Sequence, residues 1–291
     1  MNISNLTVME PANQKNHKIV AWILLGGLLF LRLPFLTGIA MFAFPIWLMP
    51  VYEIGTYLLI ACLIYLERKH LSDFHIDKLS LIIIIVFKPM QTILLIIMGL
   101  EDRPLALPHW PSLLIWLIAI SLAVVLLRDR QDLPRFTIKS LGWFGIGLMV
   151  GLITVLLMAY PGTLQLNPNQ YASTSTFLIE IKELPITFSY QLGFAAINEE
   201  PLFRGFLWGF LLKSGWKNIW ICLFQAFLFV MGHFYNLHTY PVSFWVIVPF
   251  CALVLGAIVW RSKTISSSLA VHAIANALLF ITSLYLAKLL R

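Results

Sequence analysis

The feature that leaves fewest folds open is a series of apolar runs about 20 residues long, separated by short loops that hold most of the charge. A helix rises about 1.5 Å per residue, so about 20 apolar residues cross a hydrocarbon core about 30 Å thick. Within that core every backbone N–H and C=O must be paired inside the segment, which leaves helices as the natural outcome for runs of this length. Runs at 46–66, 79–99, 112–127, 141–160, 186–212, 219–233, 242–260 and 265–290 follow a first apolar region at 19–47 that Arg32 and Pro34 interrupt. Together they predict an all-α polytopic transmembrane helix bundle of about eight spans, or about nine if the interrupted first region contributes a full one.

Composition supports the same class. Hydrophobic residues make up 60% and charged residues 11% of the 291-residue chain, which excludes a soluble domain of average make-up. The net charge of +7 is no sign of nucleic-acid binding, because the basic residues gather in the loops at 67–78, 128–139, 213–217 and 261–263. That is the pattern of cytoplasmic loops, and it predicts an integral protein of the cell's inner or plasma membrane with a cytoplasmic N-terminus. Cys62, Cys222 and Cys251 each lie in an apolar run without metal-ligand spacing, and read as free buried thiols. The chain divides into a polar tail at 1–18, membrane helices at 19–160, a polar non-cytoplasmic loop at 161–185 and a second set of membrane helices at 186–291. The first span lacks a cleavage site and reads as retained. Lys88, beside Pro89, reads as a lysine that snorkels or pairs within the bundle rather than a functional charge. Gly142, Gly145, Gly147 and Gly151 suit close helix packing.

Against this background one stretch stands out: Ala-Ile-Asn-Glu-Glu-Pro-Leu-Phe-Arg-Gly at 196–205. Two carboxylates and a guanidinium at bilayer depth are costly and persist chiefly where they do chemistry or pair. Glu200 and Arg204 share a helix face and can pair, while Glu199 lies about 100° round the helix and is free to face a cavity. Pro201 should kink the helix beside them and open room for water or substrate. Two later pairs, Phe229 with His233 and His272 with Asn276, repeat the four-residue spacing in apolar surroundings. Counted from the basic loops, Glu199, His233, His272 and Asn276 lie at roughly 21, 24, 13 and 20 Å, all inside one core thickness.

The three motifs, Glu-Glu-x-x-x-Arg, Phe-x-x-x-His and His-x-x-x-Asn, in this order on three late helices, resemble those of the CPBP family: type II CAAX prenyl proteases and the bacteriocin-processing or immunity enzymes. The resemblance covers roughly 184–290, and the break at Arg32, Leu33 and Pro34 has no counterpart in it. It implies an intramembrane endopeptidase that hydrolyses a peptide bond of a membrane-associated, prenylated or small peptide substrate. Glu199 would take a proton from the attacking water with His233 assisting. His272 and Asn276 would stabilise the oxyanion, and Glu200 with Arg204, supported by Phe229, would orient Glu199.

The resemblance implies no cofactor. The alternatives are a zinc enzyme with His233, His272 and Glu199 as ligands, a non-proteolytic scaffold or bacteriocin-immunity protein on the same fold, and, more remotely, a transporter. The expected partners are a peptide or lipidated peptide and the bilayer, with no nucleic acid.

Overall fold

The computed structural model describes residues 10–36, 48–97, 110–129, 133–166 and 174–290, and every regular element in them is helical. Nine helices are named here: α1 (Glu10–Phe30), α2 (Leu48–Leu66), α3 (Lys78–Ile97), α4 (Trp110–Arg128), α5 (Ile138–Thr163), α6, α7 (Asn218–Met231), α8 (Ser243–Ser262) and α9 (Ile265–Leu289). α6 continues through Thr174–Gln191, Leu192–Ala196, Ile197–Glu200, Pro201–Leu207 and Trp208–Lys213. Single turns at Leu33–Leu36, Leu71–Phe74 and Asn236–Thr239 lie between these helices.

Among the described residues six helices, α2 to α5, α8 and α9, are long and apolar enough to cross a membrane. The expected eight or nine is reached only by adding α6, α7 and the apolar Asn16–Phe30 part of α1, and α7 and that part of α1 are shorter than a full span.

Two expected boundaries change. The helix starts at Glu10, so residues 10–18 of the expected tail are helical, and His17 reaches Glu67 at 3.0 Å; residues 1–9 lie outside the described part. The expected loop at 161–185 is largely helix as well: α5 runs on through Pro161 to Thr163, and α6 is helical from Thr174. The strong helix formers Lys182, Glu183 and Leu184 carry the second stretch despite its polarity.

The basic loops lie together at one end of the bundle. Arg68 Nε donates to Asp129 Oδ2 at 2.8 Å, Lys213 pairs with Asp73 at 3.2 Å, and the Ile265 N–H donates to the His75 carbonyl at 2.8 Å. In that end, burial holds the His75 imidazole down to about 4. His75 Nδ1 donates to the carbonyl of Arg204 at 3.4 Å, so the loop after α2 touches the charged motif from behind.

Packing of α9 on α5 follows from small residues. A Cβ added at Gly147 would fall on the backbone of Ser267, one at Gly151 on the Ile274 side chain and close against the Val271 backbone, and one at Gly162 on the Ser283 side chain. Gly142 and Gly145, expected to share this role, face open space instead. Between α2 and α3 the contact is polar: Lys88 Nζ donates to Glu53 Oε2 and, at 3.0 Å, to Gln91 Oε1, with both charged side chains fully buried. Of the two expectations for Lys88, snorkelling or pairing within the bundle, the structure shows pairing.

Candidate active site

The site begins with how α6 accommodates its proline. A proline removes one backbone donor and crowds the preceding turn. Here the helix widens to π geometry over Pro201–Leu207, and again over Leu192–Ala196, leaving Ile197–Glu200 as a short α-helical link between the two. The strain expected as a kink is taken up in these wider turns, a feature frequent at functional sites. The link carries both glutamates.

The two carboxylates have separate surroundings. Glu200 and Arg204, both fully buried, pair at 3.2 Å, and Arg204 also donates to the Ala252 carbonyl at 3.3 Å while its guanidinium lies 4.4 Å from the Phe229 ring centre. Glu199, 13% exposed, faces a cavity of about 450 Å³. Only Glu199 of the two is open to a ligand.

His272 sits between them. Its Nδ1 donates to Glu200 Oε1 at 2.9 Å, and its Nε2 lies 3.7 Å from Glu199 Oε2. A carboxylate only accepts, so His272 holds a proton at Nδ1, and its Nε2 faces Glu199. A gap of 3.7 Å is longer than a hydrogen bond and suits a bridging water. Glu200, expected to orient Glu199, therefore also fixes the ring of His272.

His233 does not lie on the helix that carries Phe229. α7 ends at Met231, and His233 occupies the following turn, where its Nδ1 donates to the Phe229 carbonyl at 2.8 Å and its ring lies 4.7 Å from the Phe229 ring. That bond leaves Nε2 of neutral His233 as an acceptor on the cavity wall. Asn276, one turn beyond His272, also lines the cavity, but it is exposed and its Nδ2 donates to Gln191 Oε1 at 3.4 Å. The structure thus brings Glu199, Glu200, Arg204, Phe229 and His272 into one contact network, with His233 and Asn276 at its cavity edge.

Sequence reasoning missed Arg32. Its Nη1 donates to Glu199 Oε1 at 2.8 Å and its Nη2 to the Asn198 carbonyl at 2.7 Å, while its guanidinium lies over the rings of Tyr52 and Phe203 at 5.2 and 5.8 Å. A signal was present. Arg32 lies fifteen residues beyond His17, in the turn that ends a helix rising from the basic end, about 22 Å, and Glu199 fourteen residues before Lys213, about 21 Å, so the two stand at one depth. Tyr52, Tyr235, Ser243 and Cys251 also reach the cavity wall.

Among the described residues no three His, Cys, Asp or Glu side chains are grouped closely enough to hold a metal ion. Of the set His233, His272 and Glu199, Glu199 gives one oxygen to Arg32 and keeps Oε2 open, and His272 donates Nδ1 to Glu200 and keeps Nε2 open, an arrangement also common for metal-ligating histidines.

In a comparison with protein-family models, residues 182–278 match the type II CAAX prenyl endopeptidase Rce1-like family. That segment holds all three motifs and ends just past Asn276; Arg32 lies outside it. No curated protein and no solved structure matches the chain.

Proposed function

We propose, from the match of residues 182–278 to the Rce1-like family of type II CAAX prenyl endopeptidases, that this membrane protein is an endopeptidase of the CPBP type using Glu199 to activate water against a peptide bond. The observation that carries the reading is the pair of acceptors, Glu199 Oε2 and His272 Nε2, held 3.7 Å apart at the edge of the cavity. A water bound between them gives one proton to Glu199 as its oxygen attacks the scissile carbonyl carbon. The carbonyl oxygen takes the negative charge and meets the amide of Asn276, which exchanges its long bond to Gln191 for this one. When the C–N bond breaks, the proton on Glu199 goes to the departing amine and the enzyme returns to its starting state.

In this scheme His272 acts as an oriented acceptor for the water, while His233 assists from the cavity wall. With its Nδ1 proton held by Glu200 and Nε2 taken up by the water, His272 leaves Asn276 as the oxyanion donor on α9. Arg204 neutralises Glu200 behind the site, and no step requires a metal or a side-chain nucleophile.

The cavity wall is mostly apolar, with Phe194, Phe229, Ile247, Val248, Leu255 and Leu279 among its side chains. Such a wall suits a lipidated or strongly apolar peptide entering from the bilayer, and the basic loops would face the cytoplasm. The test is incubation of the purified protein in detergent with matched peptides, farnesylated and unmodified, followed by mass spectrometry of the products. Cleavage of the farnesylated peptide in preference to the plain one supports the reading, and it should survive in Cys251→Ser and Ser243→Ala. A wild type that binds the peptides and cuts none, across a broad library, would move the protein to a binding role.

A further inference from the structure

The segment that matches the family does not balance its own charge. It holds two carboxylates at the site, Glu199 and Glu200, and Arg204 is committed to Glu200 and to the Ala252 carbonyl. An unpaired carboxylate in such surroundings is strongly unfavourable. The second guanidinium comes from Arg32, in the turn that follows α1 and far outside the matched segment.

We infer that Arg32 is a positioning residue for the hydrolysis: it fixes the Glu199 carboxylate with Oε2 toward the cavity, so that α1 is a working part of the catalytic unit. The inference rests on the reading of Glu199 as the base. Three features carry it beyond simple charge balance. Arg32 grips α6 at two neighbouring points, the Glu199 carboxylate and the Asn198 carbonyl, which resists both rotation and sliding of the link that bears Glu199. It occupies Oε1, leaving Oε2 as the oxygen that faces His272 Nε2. Its own plane is confined by the rings of Tyr52 and Phe203. A lysine keeps the charge but lacks the planar fork that makes both contacts. Among the described residues that line the cavity, Arg32 is also the sole lysine or arginine, so nothing else there can take its place.

The experiment compares wild type with Arg32→Ala and Arg32→Lys by steady-state cleavage, with and without added guanidinium ion, and by mass spectrometry after treatment with dicyclohexylcarbodiimide, which adds to carboxylic acids in apolar surroundings. Arg32→Ala should lower kcat about 100-fold and leave KM within about threefold, as expected for a displaced base. Guanidinium should recover about tenfold of the loss, and Arg32→Lys should fall between wild type and Arg32→Ala. Carbodiimide should label Glu199 in Arg32→Ala and spare it in wild type, with guanidinium restoring protection.

A kcat in Arg32→Ala within about threefold of wild type, or a loss that guanidinium does not relieve while labelling stays as in wild type, would overturn the inference. If Arg32→Ala does not accumulate as folded protein, Arg32→Lys decides: an unchanged kcat refutes the need for the fork. The labelling arm needs no turnover, so a wild type without peptidase activity defeats the proposed function while protection of Glu199 by Arg32 is still judged.

Discussion

Removal of the Lys88 ammonium tests how the N-terminal half of the bundle is held together. Lys88 and Glu53 are both wholly buried, Lys88 also donates to Gln91 at 3.0 Å, and its Nζ lies 5.6 Å from the ring of Phe194 on the cavity wall. In Lys88→Met, Glu53 must hold an uncompensated charge or take up a proton, at about 3–5 kcal/mol, and Gln91 Oε1 loses its donor, adding about 1 kcal/mol. The single variant should therefore lose about 4–6 kcal/mol. The pair is not fully satisfied even in the native protein, since Glu53 Oε1 and Gln91 Nε2 are buried without a hydrogen-bond partner. Replacing both charges, as in Glu53→Leu/Lys88→Met, should then return stability to within about 1–2 kcal/mol of wild type. The assay is equilibrium unfolding of the four proteins of this cycle in one detergent, followed by tryptophan fluorescence. A Lys88→Met cost under about 1 kcal/mol, or a double variant as unstable as the single one, would refute the reasoning.

The α5–α9 contact and the loop end of the bundle give two further expectations. Gly151→Ala should cost about 1–3 kcal/mol, because its methyl group meets Ile274 and the Val271 backbone, whereas Gly142→Ala, facing open space, should gain about 0.5–1 kcal/mol; thermal unfolding in detergent checks both, and equal effects at the two sites would contradict the packing. His75 is buried neutral and its folded value is lowered to about 4 from an ordinary 6.5, so the unfolded chain binds the proton first and stability falls as pH drops between those values. The loss should reach about 2 kcal/mol by pH 5 and about 3 kcal/mol by pH 4, and a His75→Gln variant with the same pH slope as wild type would refute it.

Much of the molecule was legible in order. Local rules sufficed where the partners are close in sequence, as with the four-residue spacing that pairs Glu200 with Arg204. They also placed Glu199 on a different face from Glu200, where the cavity lies. What escaped were features set by tertiary contact. Arg32 and Glu199 are 167 residues apart, and no periodicity links them; only their equal depth in the bundle does. His233 was expected on a helix face because spacing cannot reveal that α7 stops two residues earlier. The division of labour at His272 was invisible for a related reason: which ring nitrogen holds the proton depends on Glu200, a residue of another helix. The helix through 174–185 escaped because polarity was read as loop, and its Thr, Ser, Ile and Pro residues carry little helix signal of their own.

The central claim is that Glu199 is the base, and single-turnover cleavage by Glu199→Gln, beside wild type with and without a strong chelator, tests it most directly. The account predicts that Glu199→Gln, which keeps the shape and loses the basic oxygen, slows cleavage about 100- to 10,000-fold, while chelator leaves the wild-type rate unchanged. Cleavage at the wild-type rate in Glu199→Gln, or a wild-type rate abolished by chelator and restored by zinc, would contradict it.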